Sequence, residues 1–145
     1  TTLEGFNKLT EQEKQETLDF LRALPTHFEI SVGGKNFYLV HGLPADTVYD
    51  EVWFRPYKDP IRTIPNCQLI IGHTPVSCFV HTETEAYSRS DEEELAYVQE
   101  MCERGELFSI FHHPQYIDID CCCGYDFPNR RLACLRLEDM EEFYV

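Results

Sequence analysis

The chain has 145 residues, 43% hydrophobic and 26% charged, which is room for one domain and not two. Twelve Lys and Arg against 26 Asp and Glu give a net charge of −14, which argues against a nucleic-acid or membrane-surface module and leaves a cation-binding site open. Apolar runs such as Leu69-Ile70-Ile71 are too short to cross a membrane, and Thr1-Thr2-Leu3-Glu4 has neither the basic nor the apolar region of a signal peptide.

The first predicted element is a helix. Thr10 is a good N-cap and Glu13 completes a capping box. Leu18, Phe20, Leu21 and Leu24 form an apolar stripe at helical spacing, and Pro25 stops it. Phe28–Val32 and Asn36–His41 are β-rich runs around Gly33-Gly34, a hairpin signal. Residues 42–66 contain five Pro or Gly and read as loop with short helical pieces. Cys67–Ile71 reads as a short buried strand ended by Gly72.

Residues 81–106 carry nine acidic residues, Glu83 and Glu85 among them, against Arg89 and Arg104. Ser90 and Glu93 form a second capping box and Gly105 suits a C-terminal cap, so a surface helix is expected over about 91–104. The whole stretch reads as an acidic helical excursion outside the sheet, removable without loss of the fold. Three β segments, 107–112, 115–121 and 131–137, and a short one near 142–145 close the chain, with Asp126–Asn129 as turn residues.

Seven cysteines, three of them consecutive at 121–123, include no C-x-x-C pair, so zinc-finger and thioredoxin-like chemistry fall away. Reduced thiols in a cytoplasmic protein are the expectation. A cysteine phosphatase needs C-x-x-x-x-x-R, but Cys121, Cys122 and Cys123 have Phe127, Pro128 and Asn129 at that offset. Alternation in Tyr116–Cys122 sends Asp118, Asp120 and Cys122 to one face. With His112-His113 they match no established ligand spacing and read as an ordinary strand with loop histidines.

Two histidines share one setting. His41 ends a strand before Gly42, and His73 follows a strand after Gly72. Residues just past strand ends line the crevice of an α/β sheet, glycine permits close approach, and neutral imidazole suits Mn, Fe or Zn. From spacing alone, two unrelated loop histidines are the favoured reading, because His-Gly and Gly-His-Thr are short patterns that recur by chance.

The ordered set Phe37-Tyr-Leu-Val-His-Gly42, Val52-Trp-Phe-Arg-Pro56, Ile70-Ile-Gly-His-Thr-Pro-Val76, Tyr116-Ile-Asp-Ile-Asp120 and Arg131–Leu137 resembles the C-terminal half of the calcineurin-like metallophosphoesterases. The likeness is to the bacterial and phage-type serine/threonine phosphoprotein phosphatases, over about residues 6–80 and 107–145. The resemblance implies an α/β fold, part of a sandwich of β-sheets flanked by helices. It implies phosphoester hydrolysis at two divalent metal ions, Mn, Fe or Zn. His41 and His73 match metal ligands, and Arg55, in Trp53-Phe54-Arg55, matches a phosphate-binding arginine. Substrates would be a phosphorylated protein or a small phosphoester. The family's N-terminal signatures G-D-x-H-G, G-D-x-x-D-R-G and G-N-H-E occur nowhere in the chain. Residues 1–145 are therefore expected to be the C-terminal part of one such domain, inactive alone. The alternative is a non-catalytic binding module with the acidic helix as its partner surface.

Overall fold

The computed structural model describes residues 2–82 and 86–145, so Glu83 and Glu85 of the acidic stretch lie outside the described residues. In chain order the elements are α1 (Thr2–Asn7), α2 (Glu11–Ala23), β1 (His27–Val32), β2 (Lys35–Val40), α3 (Val48–Trp53), β3 (Cys67–Ile71), β4 (Phe79–His81), β5 (Ala86–Ser88), α4 (Asp91–Glu103), β6 (Phe111–His112), β7 (Tyr116–Asp118), β8 (Ala133–Arg136) and β9 (Glu141–Tyr144). This is a mixed α/β fold.

One five-stranded sheet runs β1-β2-β3-β7-β6, and β4-β5 and β8-β9 are separate two-stranded pieces. The β2-β3 and β3-β7 pairs are parallel, while the outer pairs are antiparallel. Gly33 and Gly34 turn β1 into β2 with φ of 58° and 78°, the two positive values that a tight two-residue hairpin turn requires.

The parallel strands are covered on both faces, which explains their continuous apolar runs. Along β2, Phe37 and Leu39 face one cluster, whereas Tyr38 and Val40 face the other. The first cluster joins Ile70 and Ile117 to Val98 and Met101 of α4, with Leu135 and Tyr144 of β8-β9 packed against it. The second joins Leu69, Ile71 and Tyr116 to Leu43, with Phe54, Ile61 and Ile64 packed against it. The β2-to-β3 connection thus roofs one face, and α4 the other.

Two expectations change here. The acidic stretch is not purely a surface excursion. It opens with the β4-β5 hairpin, and α4 buries Val98 and Met101 at 3% and 7% exposure in the core. The charge of this stretch masks the short i,i+3 apolar pair that fastens it. Conversely, α2 caps as expected, with both halves of the Thr10–Glu13 box formed, but no residue of it is buried. Its stripe of Phe20, Leu21 and Leu24 is exposed.

Candidate metal and phosphate site

The parallel register sets the site. Leu39 of β2 pairs with Ile70 of β3, so both strands end at the same level. His41 follows β2 directly, and Gly72 N–H donates to His41 O at 3.0 Å, carrying the ladder one step further. The chain then reverses. His73 adopts φ 65°, and Thr74 N–H donates to Gly72 O at 2.7 Å. Left-handed backbone at a non-glycine residue costs about 1–3 kcal/mol and concentrates at functional sites.

That turn brings the two rings together. His41 Nε2 lies 3.0 Å from His73 Nδ1, with ring centroids 4.7 Å apart. Two nitrogens on one tetrahedral zinc, each at about 2.0–2.1 Å, would be about 3.3 Å apart. The observed pair is a proton-sharing contact within a few tenths of an ångström of that separation. His73 Nε2 is buried without a hydrogen-bond partner among the described residues. Burial, then the charge of Arg55 and the proximity of His41, lower the His73 pKa and favour the neutral ring, the form that ligates metal. The pair therefore fits half of a metal's ligand set. Among the described residues no group of three or more His, Cys, Asp and Glu is placed to hold a metal ion.

Arg55 reaches the same turn from α3. Thr47 caps this helix, accepting from Asp50 N–H at 3.1 Å. Phe54 closes it, donating to Asp50 O at 2.8 Å. Asp59 then accepts from Arg55 N–H at 2.8 Å and holds the next turn. The Arg55 guanidinium donates to buried Thr74 Oγ1 at 3.4 Å, and the Trp53 ring meets His73 edge-on at 5.3 Å. Gly42 explains why α3 can sit so close. Its N–H donates to Glu51 O at 3.1 Å, and a Cβ there would meet the carbonyls of Glu51, Phe54 and Val52 at 2.8, 2.9 and 3.0 Å. The structure thus gathers all three sequence-derived site residues, His41, His73 and Arg55, around Gly72–Thr74.

The neighbouring strand end adds carboxylates. β7 stops at Asp118, whose Oδ1 accepts from Asp120 N–H at 3.0 Å, and Asp120 Oδ1 accepts from Cys122 N–H at 3.2 Å. Cys122 has φ 66°, so the strand alternation expected through Asp118, Asp120 and Cys122 breaks after Asp118. Burial raises the Asp120 pKa, while the bond from Cys122 N–H and, less, the electrostatic interaction with His41 oppose that rise. Asp120 is therefore an electrostatic neighbour of the histidine pair, which sequence reasoning misses by treating it as strand. His112 is elsewhere, 2.5 Å from Glu142, and His113 packs on Tyr116. A groove of about 290 Å³ runs along the sheet from His27 past Phe28 and Leu39 to His41.

No protein-family model, curated protein or solved structure matches the chain. No helix among the described residues is long and apolar enough to cross a membrane.

Proposed function

We propose that the chain is the C-terminal part of a metal-dependent phosphoester hydrolase of the calcineurin-like, serine/threonine phosphatase type. The observation that carries this reading is the 3.0 Å convergence of His41 and His73 on a strained turn that Arg55 also reaches. His41 Nε2 and His73 Nδ1 would hold one metal, Mn, Fe or Zn. A metal bound there supplies Lewis-acid stabilisation and an activated water. Arg55 orients a phosphoryl group through its planar fork and offsets the charge that builds on its oxygens. The neutral state of His73 keeps a lone pair available at neutral pH. In the same reading the five-stranded sheet is one layer of a two-sheet sandwich, and carboxylate and Asn ligands come from residues outside the 145. The substrate is a phosphorylated protein or a small phosphoester, and the seven free cysteines suit a cytoplasmic protein.

The test compares the chain with its His41→Ala and His73→Ala variants by calorimetric titration with Zn(II) and Mn(II). Each variant should lose about tenfold or more in affinity. The chain alone should not turn over p-nitrophenyl phosphate; with the upstream segment supplied it should. In that active form Arg55→Ala should lower kcat by about 10²–10³ with bound metal unchanged. Metal affinity indifferent to both histidines would overturn the reading.

A further inference from the structure

Buried beneath the site is a carboxylate that no motif explains. Glu51 lies in α3 and is 5% exposed. Its carboxylate accepts from Tyr38 Oη at 2.8 Å, from His27 Nδ1 at 3.0 Å and from Thr26 Oγ1. The His27 ring stacks on Tyr38 at 4.7 Å, closing the group. Burial alone would raise the Glu51 pKa, but the Thr26, Tyr38 and His27 donors together outweigh it and hold the carboxylate ionised.

We infer that Glu51 is a positioning residue, the tie that fixes His41 and Arg55 in register with each other. The proposal rests on the reading of His41, His73 and Arg55 as one site. Its warrant is geometric. The Glu51 side chain binds the start of β1 and the middle of β2, while its main-chain O binds Gly42 N–H, next to His41, at 3.1 Å. The helix carrying it has six residues, too few to persist in water alone. At the C-terminal end of that helix stand Trp53, on the His73 ring, and two residues on is Arg55, on Thr74. One residue of the arginine helix therefore grips the histidine strand twice, through its main chain at Gly42 and through its side chain at Tyr38. Releasing the carboxylate would free α3 to shift, moving Arg55 and the carbonyl wall around Gly42 together. Ligand-supporting groups of this kind act through the residues they orient, and their loss commonly costs about 10–100-fold in metal affinity.

The experiment uses the whole 145-residue chain with Zn(II) as probe, alongside long-range ¹H–¹⁵N spectra of the histidine rings and the Gly42 and Arg55 amides. Glu51→Ala should weaken Zn(II) binding about tenfold and shift the His41 and His73 ring signals and both amides. Glu51→Gln, which keeps an acceptor for Tyr38, should recover most of the affinity. Val98→Ala, a core change in α4, should leave the rings and Zn(II) affinity as they are. If Glu51→Ala fails to fold, Tyr38→Phe removes one donor and should shift the same signals. Ring and amide signals unchanged in a folded Glu51→Ala or Tyr38→Phe protein overturn the proposal. If the unaltered chain binds no Zn(II), the metal reading fails, and the ring and amide spectra alone decide the role of Glu51.

Discussion

Asp118 and Glu51 are both buried carboxylates, and their surroundings give them opposite behaviour. Asp118 is fully buried at the end of β7, with Oδ2 lacking a hydrogen-bond partner among the described residues. Burial pushes its pKa well above the usual carboxylate range; the bond from Asp120 N–H opposes this and the Asp120 charge adds to it. A raised folded pKa stabilises the fold fully only below the unfolded value, about 3.9. That contribution is lost as pH rises through the folded value. Asp118→Asn keeps an acceptor for Asp120 N–H and abolishes the titration. The variant should melt a few degrees higher than the unaltered chain at pH 7, and the gap should close on approach to pH 4. Thermal scans across that range check this, and a variant that melts lower at pH 7 would show that Asp118 is paired in solution. Glu51 runs the other way. Its pKa is lowered, so its contribution is present above the unfolded value, and acid removes it as pH falls through the folded value. The convergence of His41, His73 and Arg55 can be anticipated in sequence because short motifs contain them. The place of Glu51 cannot, because Asp50-Glu51 reads as a polar pair on a surface turn and its three donors come from residues 13 to 25 positions away.

At the scale of elements, capping chemistry is local and therefore readable. Ser90 and Glu93 exchange both bonds of their box, Glu93 N–H to Ser90 Oγ at 3.3 Å and Ser90 N–H to Glu93 Oε2 at 2.7 Å. The α4 start follows from these two residues and the four acidic residues of the first turn, which favour a helix N-terminus. What docks α4 is not local. Val98 and Met101 meet Phe37, Ile70 and Ile117, partners far away in the chain, and acidic composition gives no hint of them. Met101→Ala should therefore cost about 2–5 kcal/mol, as for other buried large-to-small changes. Leu95→Ala, on the same helix but 54% exposed, should stay within about 0.5 kcal/mol. Urea unfolding of the two variants separates these outcomes. Equal, small effects would mean that α4 is an appendage after all.

For the molecule as a whole, the α/β class is legible in the run of elements, but the strand order is not. Nothing in the lengths of residues 41–66 or 72–115 dictates that β7 lies beside β3 while β4-β5 and β8-β9 stand apart; cross-chain packing decides it. The result is an uneven body. β2, β3 and β7 are buried on both faces, whereas α1 and α2 have no buried residue. A 13-residue helix is marginal in water, even with its capping box complete. Phe20 and Leu21 of this helix, Leu24 at its end, and Phe28 and Ile30 of β1 present apolar area to solvent. Local opening should therefore be cheapest in α1 and α2 and dearest in the central strands. Native-state hydrogen exchange on the dilute chain should show amides of β3 and β7 at least about 100-fold better protected than those of α2. Uniform protection would mean that α2 is docked in solution. Repeating the exchange at tenfold higher protein concentration tells how, since docking against a second copy raises α2 protection with concentration and docking within one chain does not.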